Sequence, residues 1–318
     1  MRNLNLLFNK EYYSKLGTSG FAEDVIRKNS DLVNAEFDGE KDYIKSETAN
    51  QVFYLRTEYP GLIIGSGNMH GAGDLGDCDD DVNMGFSFDY VTGQPYIPGS
   101  SVKGVLRSHF KNHPEAVADI LNSNGDFGVS KEDVGSLEKM IFDNSDVFLD
   151  AVVYDGNKYK KLIGFDYITP HKETTRNPIP IRIIKILPDV CFEFRFILND
   201  RELNGKKLSA GKLKWLFCEL LCIFGAGAKT NVGYGAFVKS NNKRTEKIAS
   251  DHKESSSAQT DVAAKKADYN KSGKSGNQTV NVDTSERVKC PHCKFSNYKY
   301  SKNGRKNEFC YKCKKSLN

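Results

Sequence analysis

Four cysteines near the C-terminal end of the sequence have the spacing of a metal site. They form two CxxC pairs, Cys290-Pro-His-Cys293 and Cys310-Tyr-Lys-Cys313, which sixteen residues separate. Two thiolates two residues apart can hold one Zn²⁺ from a tight turn, and a second pair completes a tetrahedral site of four sulfurs. The pattern predicts a structural zinc ribbon at residues 287–318 that depends on the metal to fold. His292 could compete as a ligand, but four cysteines make it unnecessary.

The other cysteines do not share this spacing. A redox function of the CxxC pairs would require a thioredoxin-like βαβ context, which the surrounding sequence lacks. Cys191 lies in an apolar, strand-like run, and Cys218 and Cys222 lie in a helix-like one. In such runs cysteine is usually a small buried hydrophobic residue.

The segment around the CxxC pairs is basic and rich in aromatic residues. Residues 287–318 contain ten Lys and Arg against one acid, Glu308. Aromatic residues are interleaved with these cations, namely Phe295, Tyr298, Tyr300, Phe309 and Tyr311. Cations beside rings that stack on bases are typical of single-stranded nucleic-acid binding. In the alternative, the rings form the small core of the ribbon, and we prefer this interpretation for Phe295 and Phe309.

The charge of the chain is unevenly distributed. Residues 239–318 hold 19 Lys and Arg against 8 Asp and Glu, a net charge of +11, whereas residues 1–238 hold 27 against 33, a net charge of −6. A basic tail indicates a polyanionic partner such as nucleic acid, although a solvated tail explains the charge equally well. Residues 240–286 are mostly Ser, Lys, Asn, Asp, Thr and Gly, which predicts a flexible linker.

No membrane or export signal is recognisable in the sequence. No apolar run approaches the ~20 residues that a membrane helix needs. The N-terminal residues have neither the apolar segment nor the cleavage site of a secretory signal. We therefore expect a cytoplasmic protein with no membrane partner.

Three glycine-rich stretches lie in the acidic part of the chain, at residues 61–73, 93–107 and 224–235. Glycines let backbone N–H groups approach an anion closely, and a helix N-terminus behind a loop adds its dipole. In the second stretch, Ser100 and Ser101 could cap a helix that begins at Val102. We expect Lys103 and Arg107, one helical turn apart, to face the same anion.

None of these stretches matches a nucleotide-binding motif. The Walker A pattern GxxxxGK[ST] is absent, because the GAGAKT sequence around Gly227 has the wrong glycine spacing and follows a helix. The run Gly65-Ser-Gly67-Asn-Met-His70-Gly71 has a histidine where the dinucleotide-binding GxGxxG motif has its third glycine. We therefore exclude both kinds of nucleotide site.

An enzymatic alternative rests on His70 and on five acids that follow it. These acids are Asp74, Asp77, Asp79, Asp80 and Asp81. Such a cluster could bind Mg²⁺, but acids in a glycine-rich loop are usually solvated. We therefore expect no catalytic residues, and we expect His109, His113 and His171 to be structural or exposed.

The remaining pattern predicts an α+β fold that positions the glycine-rich stretches. Residues 179–198 alternate apolar and polar residues around Pro188-Asp189, which predicts a β-hairpin. Residues 212–225 have apolar residues at helical spacing, with Gly225 as the stop. Strands are expected at residues 150–154 and 233–239. Helices and strands alternate without a regular βαβ rhythm, which favours α+β over a doubly wound sheet.

Together, these motifs resemble the RAMP superfamily proteins of type III CRISPR systems. The similarity is greatest to the sixth subunit of the type III-B (Cmr) RNA-guided effector complex. Pro95-Tyr-Ile-Pro-Gly-Ser-Ser-Val-Lys-Gly-Val-Leu-Arg107 resembles the phosphate-contacting motif of that family, and residues 225–237 resemble its C-terminal glycine-rich loop. Residues 165–172 resemble its mid-chain motif, and residues 3–13 resemble its opening helix. The resemblance covers residues 3–239.

The resemblance implies a ferredoxin-like, RNA-recognition-motif-like domain at residues 1–239 with a β-hairpin thumb, to which residues 171–180 would belong. It implies a non-catalytic subunit that grips the 3′ part of the guide RNA and caps the backbone filament. Its partners would be guide RNA, target RNA, and other RAMP and small subunits of the effector complex. The implied RNA-binding residues are Gly65, Gly67, His70, Gly99, Ser100, Ser101, Lys103, Arg107, His171, Lys172, Gly225, Gly227, Lys229 and Asn231.

Two other functions remain open at this point. A guide-processing endoribonuclease of the same superfamily would cleave repeat RNA alone and would lose activity on His70→Ala. A zinc-ribbon nucleic-acid adaptor would bind through residues 287–318. The linker and the ribbon depart from the family pattern, so the resemblance implies no role for them.

Overall fold

The computed structural model describes residues 3–37, 49–68, 70–71, 81–124, 127–143, 146–169, 180–240, 287–289 and 296–298. Several predicted site residues lie outside these ranges, namely His171, Lys172, Cys290, Cys293, Cys310 and Cys313. The four acids Asp74, Asp77, Asp79 and Asp80 also lie outside them, as does nearly all of the predicted linker. The predictions for these residues therefore remain predictions.

Six α-helices lie in the described residues of the first 240 positions. They are α1 (Leu4–Asn9), α2 (Phe21–Asn34), α3 (Gly99–Asn112), α4 (Pro114–Ser123), α5 (Lys131–Phe142) and α6 (Ala210–Phe224). Two short 3-10 helices occupy Glu11–Tyr13 and Thr230–Val232. No helix in the described ranges is long and apolar enough to span a membrane.

The strands form one main sheet and three two-stranded pairs. They are β1 (Gln51–Thr57), β2 (Tyr96–Ile97), β3 (Val147–Phe148), β4 (Ala151–Asp155), β5 (Ile163–Ile168), β6 (Ile181–Ile186), β7 (Cys191–Ile197), β8 (Arg201–Leu203), β9 (Lys206–Leu208), β10 (Phe237–Lys239), β11 (Arg287–Lys289) and β12 (Ser296–Tyr298). The main sheet has the order β10-β1-β7-β4-β2, and β3 also pairs with β7. The separate pairs are β5-β6, β8-β9 and β11-β12.

The main sheet has ferredoxin-like topology. Its four principal strands follow one another along the chain as β1, β4, β7 and β10, with helices after the first and the third of them. In the sheet they lie in the order β10-β1-β7-β4, and each pair of neighbours is antiparallel. Alternate residues of β1 point into the core, since Phe53, Leu55 and Thr57 are buried. This period of two places one face of the sheet against the helices. The α+β prediction is confirmed.

The predicted hairpin at residues 179–198 is wrong. Both of its strands exist, as β6 and β7, and Asp189 turns the chain with φ +66°, but they do not pair with each other. Strand β6 pairs with β5, whereas β7 lies between β1 and β4 in the main sheet. The alternating pattern identifies a strand, but it carries no information about which strand lies beside it. The hairpin that the chain forms is β5-β6.

Helix α6 confirms the prediction for residues 212–225 and forms the centre of the core. Ser209 caps its N-terminus, and Gly225 ends it with φ +75°, a conformation that favours glycine. Cys218 and Cys222 are buried on this helix, and Cys191 is buried in β7. All three behave as the small hydrophobic residues that the sequence predicts.

Candidate nucleic-acid interface

The three glycine-rich stretches meet at one cleft of about 510 Å³. The first stretch lines it with Ile63–Gly67, and the third lines it with Ala226–Ala228. The second stretch contributes Ile97 and Pro98 and the face of α3 that carries Ser101 and Val105. Stretches that lie up to about 165 residues apart in the sequence therefore form a single, mostly apolar surface. The sequence predicted the three loops, and the fold brings them together.

Backbone hydrogen bonds hold the first and third stretches side by side. Ala228 N donates to Ile63 O at 3.0 Å, and Gly235 N donates to Gly61 O at 2.8 Å. Gly227 has φ +85°, and a Cβ atom on it would lie 2.6 Å from Ile63 O. Only glycine permits so close an approach of the two backbones. This glycine therefore fixes the width of the cleft.

The rim of the cleft offers free hydrogen-bond donors. Among the described residues, the N–H groups of Ser66, Gly67 and Gly227 have no protein acceptor. Gly67 is exposed, and a Cβ atom on it would meet nothing within 4 Å. Backbone N–H groups that face solvent from glycine loops are well suited to bind the oxygens of phosphate or ribose.

The N-terminus of α3 differs from the prediction. The helix begins at Gly99 rather than at Val102, and neither Ser100 nor Ser101 caps it. Instead, Gly99 N donates to Asp150 Oδ1 at 2.7 Å. Gly99 is buried, and a Cβ atom there would lie 2.1 Å from Phe148 O, so no larger residue fits. A carboxylate from the protein itself therefore occupies the anion site at this helix end.

Lys103 and Arg107 do not face the cleft. The cleft-lining residues of α3 occupy one side of the helix, and these two cations project from the other side. Arg107 forms ion pairs with Glu138 and, at 2.9 Å, with Asp143. Lys103 lies 5.8 Å from the centre of the Phe148 ring. The expectation that both side chains share the anion site of the glycine loops is therefore wrong, because α5 supplies carboxylates for Arg107 that its own motif does not show.

His70 is a packing residue in this structure. Its side chain is 7% exposed and stacks on Phe8, with ring centroids 3.7 Å apart. Its Nδ1 lies 3.0 Å from Val82 O, and its Nε2 lies 3.1 Å from Phe8 O. Neither nitrogen is available to RNA or to a scissile bond, which corrects the predicted RNA contact. In the described ranges, no group of three or more His, Cys, Asp or Glu could hold a metal ion.

His109 connects α3 to the third glycine-rich stretch. Its Nε2 lies 3.1 Å from Gly225 O. Desolvation is the main cause that lowers the pKa of this imidazole to about 4, and the Gly225 carbonyl opposes it only in part. The ring is therefore neutral at pH 7, and the proton on Nε2 donates to the carbonyl. Gly225 is buried and is used for this contact and for the helix stop, so it positions the loop.

The pH dependence of stability should report on His109. The folded pKa lies below the ordinary value of 6.5, so the unfolded chain binds the proton first as the pH falls. The contribution of His109 is fully present above about pH 6.5 and is lost toward pH 4. We expect it to account for about 1–2 kcal/mol of unfolding free energy between pH 7 and pH 5. Urea unfolding at both pH values should show a smaller loss for His109→Gln than for the wild type.

A partly buried polar cluster joins the β5-β6 hairpin to the third stretch. Asp166 Oδ2 accepts from Lys185 Nζ at 2.5 Å and from Tyr234 OH at 2.6 Å. Burial opposes ionisation of Asp166, but these two donors outweigh it and hold its pKa below the ordinary value. Burial and the carboxylate together raise the pKa of Tyr234. Asp166 is therefore ionised at neutral pH and links the hairpin to the loop.

Lys229 and Asn231 lie on the exposed part of the third stretch. Lys229 has φ +59°, and it begins the 3-10 helix that ends before Gly233. Both side chains face solvent, directly after Ala228 of the cleft. In the part of the chain that the structure describes, no carboxylate forms an ion pair with Lys229. This lysine is therefore the available cation beside the cleft.

The family of the chain follows from a comparison with protein-family models. The model of the RAMP superfamily matches residues 54–238, which is more than half of the sequence. The chain belongs to the RAMP superfamily. The matched RAMP region runs from β1 to β10 and contains most of the cleft together with the β5-β6 hairpin.

Individual RAMP relatives are similar over part of their length. The CRISPR system CMR subunit Cmr6 of Saccharolobus solfataricus is 31% identical over 160 residues, which are 49% of this chain and 48% of that protein. The chain thus spans about half of this curated relative. A chain of the cryo-EM structure of the type III-B Cmr-beta complex bound to cognate target RNA is 22% identical with a TM-score of 0.44, covering 73% of this chain and 79% of that one. The crystal structure of Cmr6 from Pyrococcus furiosus is 22% identical with a TM-score of 0.35, covering 60% and 97%.

Sequence reasoning missed three residues that shape this RAMP site. His109 had been interpreted as structural or exposed, without its link to Gly225. Asp150 and Asp166 had no assigned role, although Asp166 lies inside the mid-chain motif. A charged residue at a half-buried strand position is a signal that could have drawn attention to Asp166. No local signal indicates that Asp150 binds the N-terminus of α3.

Proposed function

We propose that this protein is a non-catalytic RNA-binding subunit of a type III-B CRISPR RNA-guided effector complex. The observation that carries the proposal is the meeting of three glycine-rich stretches around one cleft with free N–H groups on its rim. Membership of the RAMP superfamily and similarity to a CMR subunit support the same assignment. We propose that the subunit grips the 3′ part of the guide RNA and caps the backbone filament, beside other RAMP and small subunits and near the target RNA.

The chemistry of the cleft favours binding of RNA without regard to its sequence. The N–H groups of Ser66, Gly67 and Gly227 would donate to phosphate or ribose oxygens, which are the same in every nucleotide. The half-buried apolar side chains of Val105 and Ala228 would contact the carbon face of a ribose. Among the residues that the structure describes, no cation lines the cleft, so Lys229 at its edge would supply positive charge there. Ser101 and Asn231 add exposed polar groups.

The absence of catalysis in this proposal rests on the state of the candidate histidines. His70 is buried with both nitrogens beside carbonyl oxygens, and His109 is neutral and bound to Gly225. General acid–base catalysis requires a histidine within reach of the reacting group. The purified protein should therefore leave repeat RNA intact. Cleavage by the wild type that His70→Ala abolishes would favour the processing-ribonuclease alternative.

Neutralising Lys229 should weaken RNA binding. We expect Lys229→Gln to lower the affinity for single-stranded RNA about tenfold at low salt, because a charge-assisted contact to a phosphate is lost. The slope of log K against log salt concentration should become shallower by about 0.7, the value for one phosphate contact on a single strand. Fluorescence anisotropy over a series of salt concentrations measures both quantities.

Lys160 offers a matched control for Lys229. It is also an exposed lysine in the left-handed conformation, with φ +56°, but it lies in the turn between β4 and β5. Lys160→Gln should leave the affinity and the salt slope unchanged. Equal effects of the two substitutions would indicate general charge attraction rather than a site at the cleft. Lys103→Ala is a second control, because this lysine also forms no ion pair with any described carboxylate but lies on the side of α3 away from the cleft, so its loss should leave the salt slope unchanged.

Assembly provides the direct test of the subunit assignment. The full-length protein, isolated from its native host by a tag, should carry other type III-B subunits and a small guide RNA of defined length. Mass spectrometry and sequencing of the co-purified RNA identify both. Recovery of the protein alone, without RNA, from cells that express such a complex would contradict the proposal.

We further propose that Cys290, Cys293, Cys310 and Cys313 hold a structural Zn²⁺. Four thiolates in two CxxC pairs are the donor set that a closed tetrahedral zinc site uses. The zinc would supply folding free energy to the ribbon and no chemistry of its own. The purified chain should contain one zinc per molecule by elemental analysis, and a Cys290→Ser/Cys293→Ser variant should contain none.

A chain that ends at Ser240 but binds RNA normally would argue against the zinc-ribbon adaptor alternative.

A further inference from the structure

An exposed aromatic ring lies at the tip of the turn that follows β1. Tyr59 is 80% exposed, although its backbone is firmly fixed. Glu58 N donates to Ala236 O at 2.8 Å, and Gly61 N donates to Glu58 O at 2.7 Å. On the other side of the turn, Leu62 exchanges two hydrogen bonds with Ile186, at 3.1 and 2.8 Å. Gly61 O also accepts from Gly235 N at 2.8 Å, so the turn is hydrogen-bonded both to the third glycine-rich stretch and to the β5-β6 hairpin.

Tyr59 is one of four exposed tyrosines in the described part of the chain, where most phenylalanine rings are buried. Nine side chains of Phe and Tyr are among the largest fully buried ones, including Tyr12, Phe194 and Phe237. A single exposed ring needs no explanation by itself. A ring on a backbone that is fixed from both sides is different, because it can bind a partner without a further cost in loop entropy.

Tyr59 lies beside the exposed end of the third glycine-rich stretch. A Cβ atom on Gly233 would lie 3.7 Å from Pro60 Cδ, so the two turns lie close together. Val232, directly before Gly233, is 67% exposed. Val232 N donates to Lys229 O at 3.1 Å, which places the free lysine one turn away. A ring, an apolar side chain and a cation therefore share this surface, next to the cleft.

We propose that Tyr59, with Val232 beside it, forms a stacking platform for one unpaired nucleobase of single-stranded RNA. The inference rests on the proposed function, since it continues the path of the strand out of the cleft. A tyrosine ring can stack on any base, and the nearby Lys229 can bind the phosphate of the same nucleotide. This combination of ring and cation is the usual one for binding single strands independently of sequence.

A second exposed tyrosine shows what distinguishes this surface. Tyr90 is 82% exposed and also lies on a rigid turn, where Asp89 Oδ1 accepts from Val91 N at 3.1 Å and Asn3 Nδ2 donates to Tyr90 O at 3.2 Å. None of these residues lines the cleft or belongs to a glycine-rich stretch. Tyr90 therefore matches Tyr59 in exposure and backbone order, but not in surroundings.

Substitution of Tyr59 in the full-length chain tests the platform. Tyr59→Ala should weaken binding of a mixed-sequence single-stranded RNA about 5- to 100-fold, which corresponds to the stacking of one base on an aromatic ring. Tyr59→Phe should retain the wild-type affinity, because stacking requires the ring and not the hydroxyl. Tyr90→Ala should also bind as the wild type does. Circular dichroism and thermal unfolding verify that each variant is folded.

An RNA with one abasic nucleotide, moved stepwise along the strand, identifies the base that stacks. The wild type should lose affinity at one position, and Tyr59→Ala should show no further loss there. If the wild type binds no single-stranded RNA, both the platform and the proposed function are overturned. If RNA binding depends on Lys229 while Tyr59→Ala binds normally, only the platform is overturned. The platform alone is also overturned if Tyr59→Ala leaves RNA binding intact but disrupts co-purification of a protein partner.

Discussion

Replacement of Gly235 by alanine should lower the unfolding free energy by about 4 kcal/mol or prevent folding altogether. Gly235 has φ +74°, and a Cβ atom there would lie 1.7 Å from Ala226 O. The backbone cannot retreat easily, because Ala226 N donates to Gly235 O at 2.9 Å and Gly235 N donates to Gly61 O. The substitution therefore combines left-handed strain with a backbone collision. Chemical denaturation followed by circular dichroism measures the loss.

Gly128 separates the two contributions to this loss. It has φ +57°, but a Cβ atom on it would meet nothing within 4 Å. Gly128→Ala should therefore lose only the cost of the left-handed conformation, about 1–2 kcal/mol. Similar losses for both variants would mean that the close contact between Gly235 and Ala226, which joins the two ends of the third glycine-rich stretch, is not important for stability. Folded Gly235→Ala protein, if obtained, should also bind RNA less tightly, since the cleft depends on this contact.

Removal of the Asp166 carboxylate should cost about 3 kcal/mol of unfolding free energy. Lys185 is 8% exposed, so Asp166→Ala would leave a buried ammonium group without its carboxylate. It would also leave the Tyr234 hydroxyl without its acceptor. Because the pKa of Asp166 is lowered in the folded protein, its contribution is present above about pH 4 and is lost as the pH falls further. Urea unfolding at pH 7 measures the loss.

Two comparisons make this prediction specific. Tyr234→Phe removes one hydrogen bond and keeps the ion pair, so it should cost about 1 kcal/mol. Glu115 pairs with Lys131 at 2.7 Å on the surface, where both side chains are more than half exposed. Glu115→Ala should cost less than about 1 kcal/mol, because solvent screens that pair. If Asp166→Ala destabilised the protein no more than Glu115→Ala, the Asp166 cluster would not be a structural link.

The Asp166 cluster also bears on the proposed RNA interface. It lies where the β5-β6 hairpin meets the third glycine-rich stretch, and Tyr59 lies on the turn between these two elements. Loss of the cluster should therefore change the orientation of the hairpin relative to the cleft.

Short-range patterns in the sequence predicted the individual elements well. The helical spacing of residues 212–224 and the stop at Gly225 correspond to α6, and the strand predicted at residues 150–154 corresponds to β4. Burial of Cys218 and Cys222 followed from the same spacing. These predictions hold because propensity, capping and periodicity depend on residues within a few positions of each other. The motifs around Gly99 and Gly227 were also sufficient to indicate the family.

Longer-range pairing was decided by packing that no local pattern reports. Strand β6 pairs with β5 and not with β7 as predicted, because β7 is already paired on both sides, with β1 and with β4. Arg107 was predicted to face RNA, but α5 brings Glu138 and Asp143 to it. His70 has the surroundings of a flexible loop in the sequence, yet the fold encloses it beside Phe8.

By itself, the sequence determined which elements form, where their glycines lie and which family they belong to. Only the tertiary structure decided that the three glycine-rich stretches share one cleft, that Asp150 occupies the N-terminus of α3, and that Lys229 remains the available cation. The physical reason is the range of the interactions. Caps and periodicity act within one or two turns of chain, whereas ion pairs, close backbone contacts and burial join residues that only the packed fold brings into contact.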